Sequence, residues 1–247
     1  MQINVVTLMP DMFQALDFGI VGRAKKNKLF ELNLWNPRDF TQDNYHRVDD
    51  RPYGGGPGMV LLAKPMMATL EAIKKASPGG KVIYLSPQGQ TLTQNKIQAW
   101  AKEPKLTFIS GRYEGLDERV IELAVDEECS IGDYVLSGGE LPAMTIIDAL
   151  VRCLPGSLGD EESREQDSFT SGLLDYPHYT RPEEFANKGV PDVLLRGNHQ
   201  AIQRWRIKQA LGRTWQRRPD LLACYPITRE QQALLDEFIK ENSSFED

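Results

Sequence analysis

Short apolar runs alternate with helix-length stretches along this chain, and that alternation restricts its fold more than any other feature. Residues 3–8, 29–35, 81–85, 106–109 and 129–131 read as strands. Between and after them, 12–26, 64–76, 93–102, 117–125 and 140–153 read as helices, the last with Leu141, Met144, Ile147 and Val151 three or four apart. Asp11 suits the N-cap of the first helix, and Asp117 and Glu118 sit in the first turn of the fourth, where carboxylates complement the helix dipole. Strands alternating with helices build a mostly parallel sheet covered by helices on both faces, an α/β class.

Three loops follow three of these strands. They are Ser86-Pro87-Gln88-Gly89, Gly111-Arg112-Tyr113-Glu114-Gly115, and the run from Gly132-Asp133-Tyr134 to Gly138-Gly139. Glycine allows positive φ and close backbone approach to a ligand. Loops at the carboxyl ends of parallel strands describe a ligand crevice. Neither GxGxxG nor GxxxxGK[ST] is present, so neither a dinucleotide nor a nucleoside triphosphate is indicated. Residues 36–58 form a further loop, long for a compact domain, whose glycines beside Asp50, Arg51 and Tyr53 suit a mobile segment that closes on a ligand.

No run of 18 apolar residues occurs, the first residues lack the basic-then-apolar pattern of a signal peptide, and the three cysteines and three histidines are scattered. A cytoplasmic protein without membrane span, disulfide framework or metal site is expected. The net charge of −6 argues against a polyanionic partner, but the signs are segregated. Residues 193–219 contain no Asp or Glu and seven basic side chains: Arg196, Arg204, Arg206, Lys208, Arg213, Arg217 and Arg218. Trp205 and Trp215 are interleaved with them, a composition suited to RNA phosphates and stacked bases. Trp215 also falls on an apolar stripe with Ile207, Ala210 and Leu211, and is expected in a core. Residues 154–175 are rich in Gly, Ser, Asp and Glu. The expected organisation is an α/β domain over 1–160, a flexible linker over 161–175 and a small helical domain over 176–247.

The runs GRYEGLDER (111–119) and SIGDYVLSGGELP (130–142) resemble the signatures of the bacterial tRNA (guanine-N1)-methyltransferases of TrmD type, and the likeness extends from residue 1 to about 235. That family belongs to the knotted SPOUT superfamily. Topology rules alone give an open doubly wound sheet. The resemblance instead implies a deep trefoil knot, with the loops between 84 and 142 threading one another. It implies methylation of N1 of guanine 37 in tRNA with S-adenosyl-L-methionine. The cofactor would be held by Tyr84, Leu85, Ser86, Pro87, Gly111, Tyr113, Glu114, Gly115, Ser130, Ile131, Gly132, Asp133, Tyr134, Val135, Leu136, Gly138, Gly139 and Pro142. Asp167, within Glu165-Gln166-Asp167-Ser168-Phe169, matches the family's catalytic aspartate, and Arg152 its catalytic arginine; Gln166 stands where relatives often carry an acid. Asp50 would lie near cofactor and RNA, and Arg196, Arg204, Arg206, Lys208, Arg213 and Arg217 would meet the tRNA. The resemblance also implies a homodimer whose site forms between subunits, with Asp167 facing the other chain's pocket.

Taken alone, Arg152 reads as a solvated helix end and Asp167 as one of many linker acids. The chemistry gives them roles. Guanine N1 carries a proton at neutral pH, and its removal as the methyl arrives leaves negative charge mainly on O6. A carboxylate base and a cationic donor meet those two needs. A base stacked in an anticodon loop must be swung out, which suits a mobile segment carrying the catalyst. Two other readings stand beside this one: the same cofactor acting on another RNA base or a ribose 2′-hydroxyl, and a non-catalytic RNA-binding protein with a vestigial pocket. A ribose methylase has less need of Asp167, and a vestigial pocket predicts the loss of Arg152 or Asp167, both of which are present.

Overall fold

The computed structural model describes residues 1–158 and 167–243. The chain divides into two compact units, 1–161 and 162–247. The N-terminal unit is built on a five-stranded sheet formed by β1 (Gln2–Val6), β2 (Glu31–Trp35), β5 (Lys81–Thr91), β6 (Lys105–Ser110) and β7 (Glu127–Ser130), in the order β2-β1-β6-β5-β7. Every pairing in it is parallel.

The period of two along each strand assigns its side chains to opposite faces. Ile3 and Val5, Ile83 and Leu85, and Leu106 and Phe108 fall on one face. They pack with α1 (Gly19–Lys26), α3 (Gln94–Trp100) and α5 (Glu140–Cys153) through Val21, Trp100, Ile146, Ile147 and Leu150. Val6, Tyr84 and Ile109 fall on the other, against α2 (Ala63–Ala76) and α4 (Glu118–Ala124) through Met66, Leu70, Ile73 and Val120. The α/β sheet with helices on both faces is thus as the sequence indicates.

Several local readings need correction. The helix expected over 12–26 is a 3-10 segment, Pro10–Asp17, followed by α1. Phe18 between them is extended, Gly19 takes a positive φ, and Met9 rather than Asp11 occupies the N-cap, without a side-chain bond. The strand from Lys81 continues to Thr91. Leu85 and Gln90 both stand opposite Cys129, so Ser86–Gly89 is an out-looped insertion within β5 rather than a loop beyond its end. Gly89 lies so close to the Glu128–Cys129 backbone that a Cβ has no room. The long loop over 36–58 contains a 3-10 turn, Pro37–Phe40, capped by Asn36, and its end pairs as a short antiparallel arm of β3 (Asp49–Asp50) and β4 (Val60–Leu61).

In the second unit, β8 (Glu184–Phe185) and β9 (Lys188–Gly189) form a hairpin. After it come α6 (Asp192–Leu195), α7 (His199–Arg217), α8 (Pro219–Ala223) and α9 (Arg229–Ser243). Leu211 of α7 meets Leu234 and Leu235 of α9 in a small core that also takes Leu173. Gly212 fits directly under the Phe238 ring, which lets the two helices approach closely. The first part of the expected linker, 161–166, lies outside the described residues. The part from Asp167 to Asp175 is folded: Phe169 N–H donates to Leu173 C=O at 2.9 Å, and Leu174 N–H donates to Thr214 Oγ1 at 2.9 Å. Trp215, expected in the core, is 41% exposed, because the neighbouring Thr214 takes the buried position.

Candidate active site

Strand direction gathers the glycine-bearing loops. β5, β6 and β7 run parallel, so the 86–89 insertion, the loop after Ser110 and the loop after Ser130 open at the same end of the sheet. Together with the start of α5 they enclose a cavity of about 320 Å³. Of the eighteen residues that the resemblance assigns to the cofactor, all but Asp133 line this cavity. Gln88, Arg112, Cys129 and Ser137 line it as well.

The walls are set by close packing of rings on glycines. A Cβ on Gly111 would stand 3.0 Å from the Tyr84 ring, and one on Gly115, where φ is +119°, 3.1 Å from the Tyr84 hydroxyl. Tyr84 is itself buried at 7% exposure. Burial pushes its phenol up to about 12; a hydrogen bond with the Leu116 backbone acts in the opposite direction, and the Glu128 and Glu118 carboxylates reinforce the rise. The ring is therefore a neutral wall across the physiological range. Burial likewise raises the Cys129 thiol, with Lys96 opposing it. At the other side Tyr134 folds back over Gly132, its hydroxyl donating to Ile131 C=O at 3.4 Å.

A buried carboxylate ties the loops together. Glu140, the first residue of α5, is 1% exposed. It accepts from Arg112 Nε at 2.9 Å and from Thr7 Oγ1 at 3.0 Å. Arg112 Nη1 also donates to Ser137 C=O at 3.3 Å, and Gly139 N–H donates to Gly111 C=O at 2.8 Å. Two glycines permit this crossing: a Cβ on Gly138 would lie 2.5 Å from Arg112 Nε, and one on Gly139 2.6 Å from Ser110 Cα. Glu140 lies in the 130–142 run but is not among the expected site residues, and Thr7 looks like an ordinary polar residue at a strand end.

The β3–β4 arm joins the same assembly. Glu114 N–H donates to Met59 C=O and Leu61 N–H to Gly115 C=O, both at 2.9 Å. The Glu114 side chain rests on Gly58, where a Cβ has no room. Asp50 is exposed on this arm and accepts from Arg51 N–H at 2.8 Å. At the tip Tyr53 is fully exposed, and a Cβ on Gly54, Gly55 or Gly56 would meet open space.

Arg152 does not line the cavity. It is half-buried near the far end of α5, twelve residues after Glu140 and so about 18 Å along the axis. Asp167 is half-buried at the start of a turn, its carbonyl accepting from Thr170 N–H at 3.2 Å.

The basic stretch splits between two faces of α7. Arg204 pairs with Glu237 at 2.9 Å, and Lys208, 9% exposed, pairs with Glu237 and with Glu241 at 2.8 Å. Arg196 pairs with Asp192 and Arg218 with Asp220. These four are paired with acids outside the acid-free window: Asp192 and Asp220 flank it in sequence, and Glu237 and Glu241 come from α9. Arg206, Arg213 and Arg217 form the opposite stripe, at i, i+7 and i+11. The Arg206 guanidinium lies over the Tyr176 ring at 4.8 Å, and among the described residues Arg213 and Arg217 make no ion pair. Among the described residues, too, no group of three metal-ligating side chains occurs and no helix is long and apolar enough to cross a membrane.

Comparison with known proteins places this geometry. The family model described as tRNA (Guanine-1)-methyltransferase TrmD matches residues 1–224. A protein of Shewanella sediminis named tRNA (guanine-N(1)-)-methyltransferase is 59% identical over 242 residues, 97% of this chain and 100% of that protein. Proteins with the same name from Aeromonas hydrophila and Tolumonas auensis are each 58% identical over 243 residues, 98% of both chains. A family match over most of the chain, and relatives this similar end to end, leave one assignment: the chain belongs to the tRNA (guanine-1)-methyltransferase TrmD family.

Proposed function

We propose that this protein transfers a methyl group from S-adenosyl-L-methionine to N1 of guanine 37 in tRNA, as a homodimer with its active sites shared between subunits. The observation that carries the reading is the cavity of three glycine-bearing loops at the carboxyl ends of parallel strands.

The lining suits such a donor in kind. Gly111, Gly115, Gly132, Gly138 and Gly139 line the cavity and, without a Cβ, let a ligand come close to the backbone. Leu85, Ile131, Leu136 and Pro142 supply apolar walls for a planar base. When bound, S-adenosylmethionine supplies an electrophilic methyl on a sulfonium. In this reading Asp167 takes the N1 proton as the bond forms, and Arg152 donates to O6 as charge accumulates there. The loops hold the reacting atoms in line, which is where most of the rate arises.

The length of α5 favours a shared site. Glu140 stands at the cavity and Arg152 lies about 18 Å further along the same helix, so a chain's own arginine is far from its own pocket. A twofold-related copy supplies an arginine from outside. Val135, Leu136 and Leu141 are exposed apolar side chains beside the cavity mouth, as a surface awaiting another chain requires. The Arg206, Arg213 and Arg217 stripe is the part of the second unit fitted to tRNA phosphates.

The test is methyl transfer from labelled S-adenosylmethionine to tRNA transcripts carrying G37 or A37, with wild type and Asp167→Ala. Label on the G37 transcript alone, mapped to N1 and reduced at least about 100-fold in the variant, is the expected outcome. Equal labelling of both transcripts would overturn the target. Near-full activity of Asp167→Ala would overturn the assigned base.

A further inference from the structure

We infer that Glu140 is a positioning residue: its buried carboxylate clasps the two cofactor loops to the end of β1 and so keeps the pocket in its binding-competent shape. This deepens the reading given under Proposed function and rests on it for the identity of the ligand.

The two loops leave β6 and β7 as separate strand ends, and β5 lies between those strands in the sheet. Nothing in the ladder joins them. One main-chain bond, Gly139 N–H to Gly111 C=O at 2.8 Å, links the loops directly, and the side-chain joining is done by Arg112 and Glu140. Arg112 reaches from the first loop to Glu140 with Nε and to Ser137 C=O with Nη1, leaving Nη2 against Met9 Sδ at 3.1 Å and Met12 Sδ at 3.5 Å. On its other oxygen Glu140 receives the Thr7 hydroxyl, and Thr7 in turn receives Met9 N–H at 3.0 Å. Thr7 is fully buried, one residue past β1, and its own N–H donates to Trp35 C=O at 3.0 Å. One carboxylate thus fastens the 111–115 loop to the carboxyl end of β1 at the start of α5, where the 132–139 loop ends.

Burial makes the clasp demanding. A carboxylate removed from water is tolerated only while charge-assisted donors occupy its lone pairs, and removal of one partner leaves the other uncompensated. Glu140 also sits in the first turn of α5, where the helix dipole favours the anion. The arrangement accordingly prefers one register of the two loops. The Arg112 side chain passes where a Gly138 Cβ would stand, so a loop displaced by an ångström loses the contact. Arg112 lines the cavity; Glu140 and Thr7 do not, and they act through it.

The experiment pairs hydrogen exchange of the ligand-free protein with calorimetric titration of S-adenosylhomocysteine, on wild type, Glu140→Gln, Arg112→Met, the double variant and Thr7→Val. Glu140→Gln keeps the shape and removes the charge. It is expected to speed exchange of the Gly139 amide and its neighbours in 111–115 and 132–139, and to weaken binding about 10–100-fold, the loss that follows when the competent loop arrangement falls to between a tenth and a hundredth of the population. Arg112→Met is expected to lose a similar factor. The double variant is expected to lose no more than the worse single one, since both break the same clasp. Thr7→Val, a change too small to prevent folding, is expected to weaken binding a few-fold in the same direction.

Unchanged exchange in Glu140→Gln would overturn the proposal, as would multiplying losses in the double variant. A lower unfolding midpoint with unaltered affinity and unaltered loop exchange would reduce Glu140 to a stability element and overturn it as well. Accelerated loop exchange in a protein whose wild type binds no S-adenosylhomocysteine would leave the clasp standing and remove the ligand assigned under Proposed function.

Discussion

Tyr84 shows how one side chain can serve core and site together. Its ring packs with Val6, Ile109 and Leu116 in one core cluster, while its hydroxyl end lies under Gly111 and Gly115 in the cavity wall. Burial, which disfavours the anion, pushes the phenol up to about 12 from its ordinary value of about 10. A folded-state pKa above the unfolded one means that the contribution is intact below pH 10 and lost as pH rises towards 12. Two pKa units correspond to a loss on the order of 2–3 kcal/mol across that window. Denaturant titrations at pH 9, 10.5 and 11.5 should show that fall in wild type and a shallower one in Tyr84→Phe; equal slopes would mean that other groups carry it. Tyr84 is legible in the sequence as part of the strand-like run 81–85. Its tight fit against two glycines is not, because that depends on the pairing of β5 with β6.

Among the elements, α7 is where a one-dimensional reading and the folded helix diverge most. The acid-free window over 193–219 reads as one continuous basic patch. Helical geometry divides it. Arg204 and Lys208 face α9 and meet Glu237 and Glu241, more than twenty-five residues away in sequence. The Arg204 guanidinium holds the Glu237 carboxyl below its usual range. Arg206, Arg213 and Arg217 form the stripe left for a polyanion. Affinity for tRNA measured from 50 to 300 mM salt should therefore separate the two groups. Arg213→Ala and Arg217→Ala are each expected to reduce the slope of log affinity against log salt by about 1, the signature of one lost phosphate contact. Arg204→Ala is expected to leave the slope unchanged. Equal slope changes for all three would mean that the α9 acids release their partners to the RNA.

At the scale of the whole molecule, the proposed site needs two copies of the chain. α5 holds its cavity end and its Arg152 end about 18 Å apart, so in the proposed reading each site takes its arginine from the other copy. Subunit mixing tests this. Asp167→Ala and Gly139→Ala, the latter forcing a Cβ onto the Ser110 backbone, are each expected to lose methyl transfer by themselves. After subunit exchange at equal concentrations, half of the dimers are hybrids, and each hybrid holds one site with an intact pocket and an intact Asp167. Activity of about a quarter of wild type is then expected. No recovery, with exchange confirmed by mass spectrometry, would place pocket and aspartate of each site in one chain.

The strand–helix alternation, the two-faced sheet and the three glycine loops follow from local pattern, because periods of 2 and 3.6 and the conformational freedom of glycine are properties of short stretches. The same holds for α5, whose bounds of Glu140 and Cys153 are those of its apolar repeat. Contacts between distant segments decided the rest. Ser86–Gly89 became an insertion inside a strand only because Leu85 and Gln90 share Cys129 as a partner. Trp215 was displaced from the core by Thr214, whose hydroxyl bonds Ala210 C=O and receives Leu174 N–H. The clasp joins Arg112 and Glu140, 28 positions apart, to Thr7, 133 positions before Glu140, and no short stretch of the chain contains it. Burial turned an unremarkable glutamate into the point where the loops meet, and burial is a property of the folded neighbourhood rather than of the sequence around it.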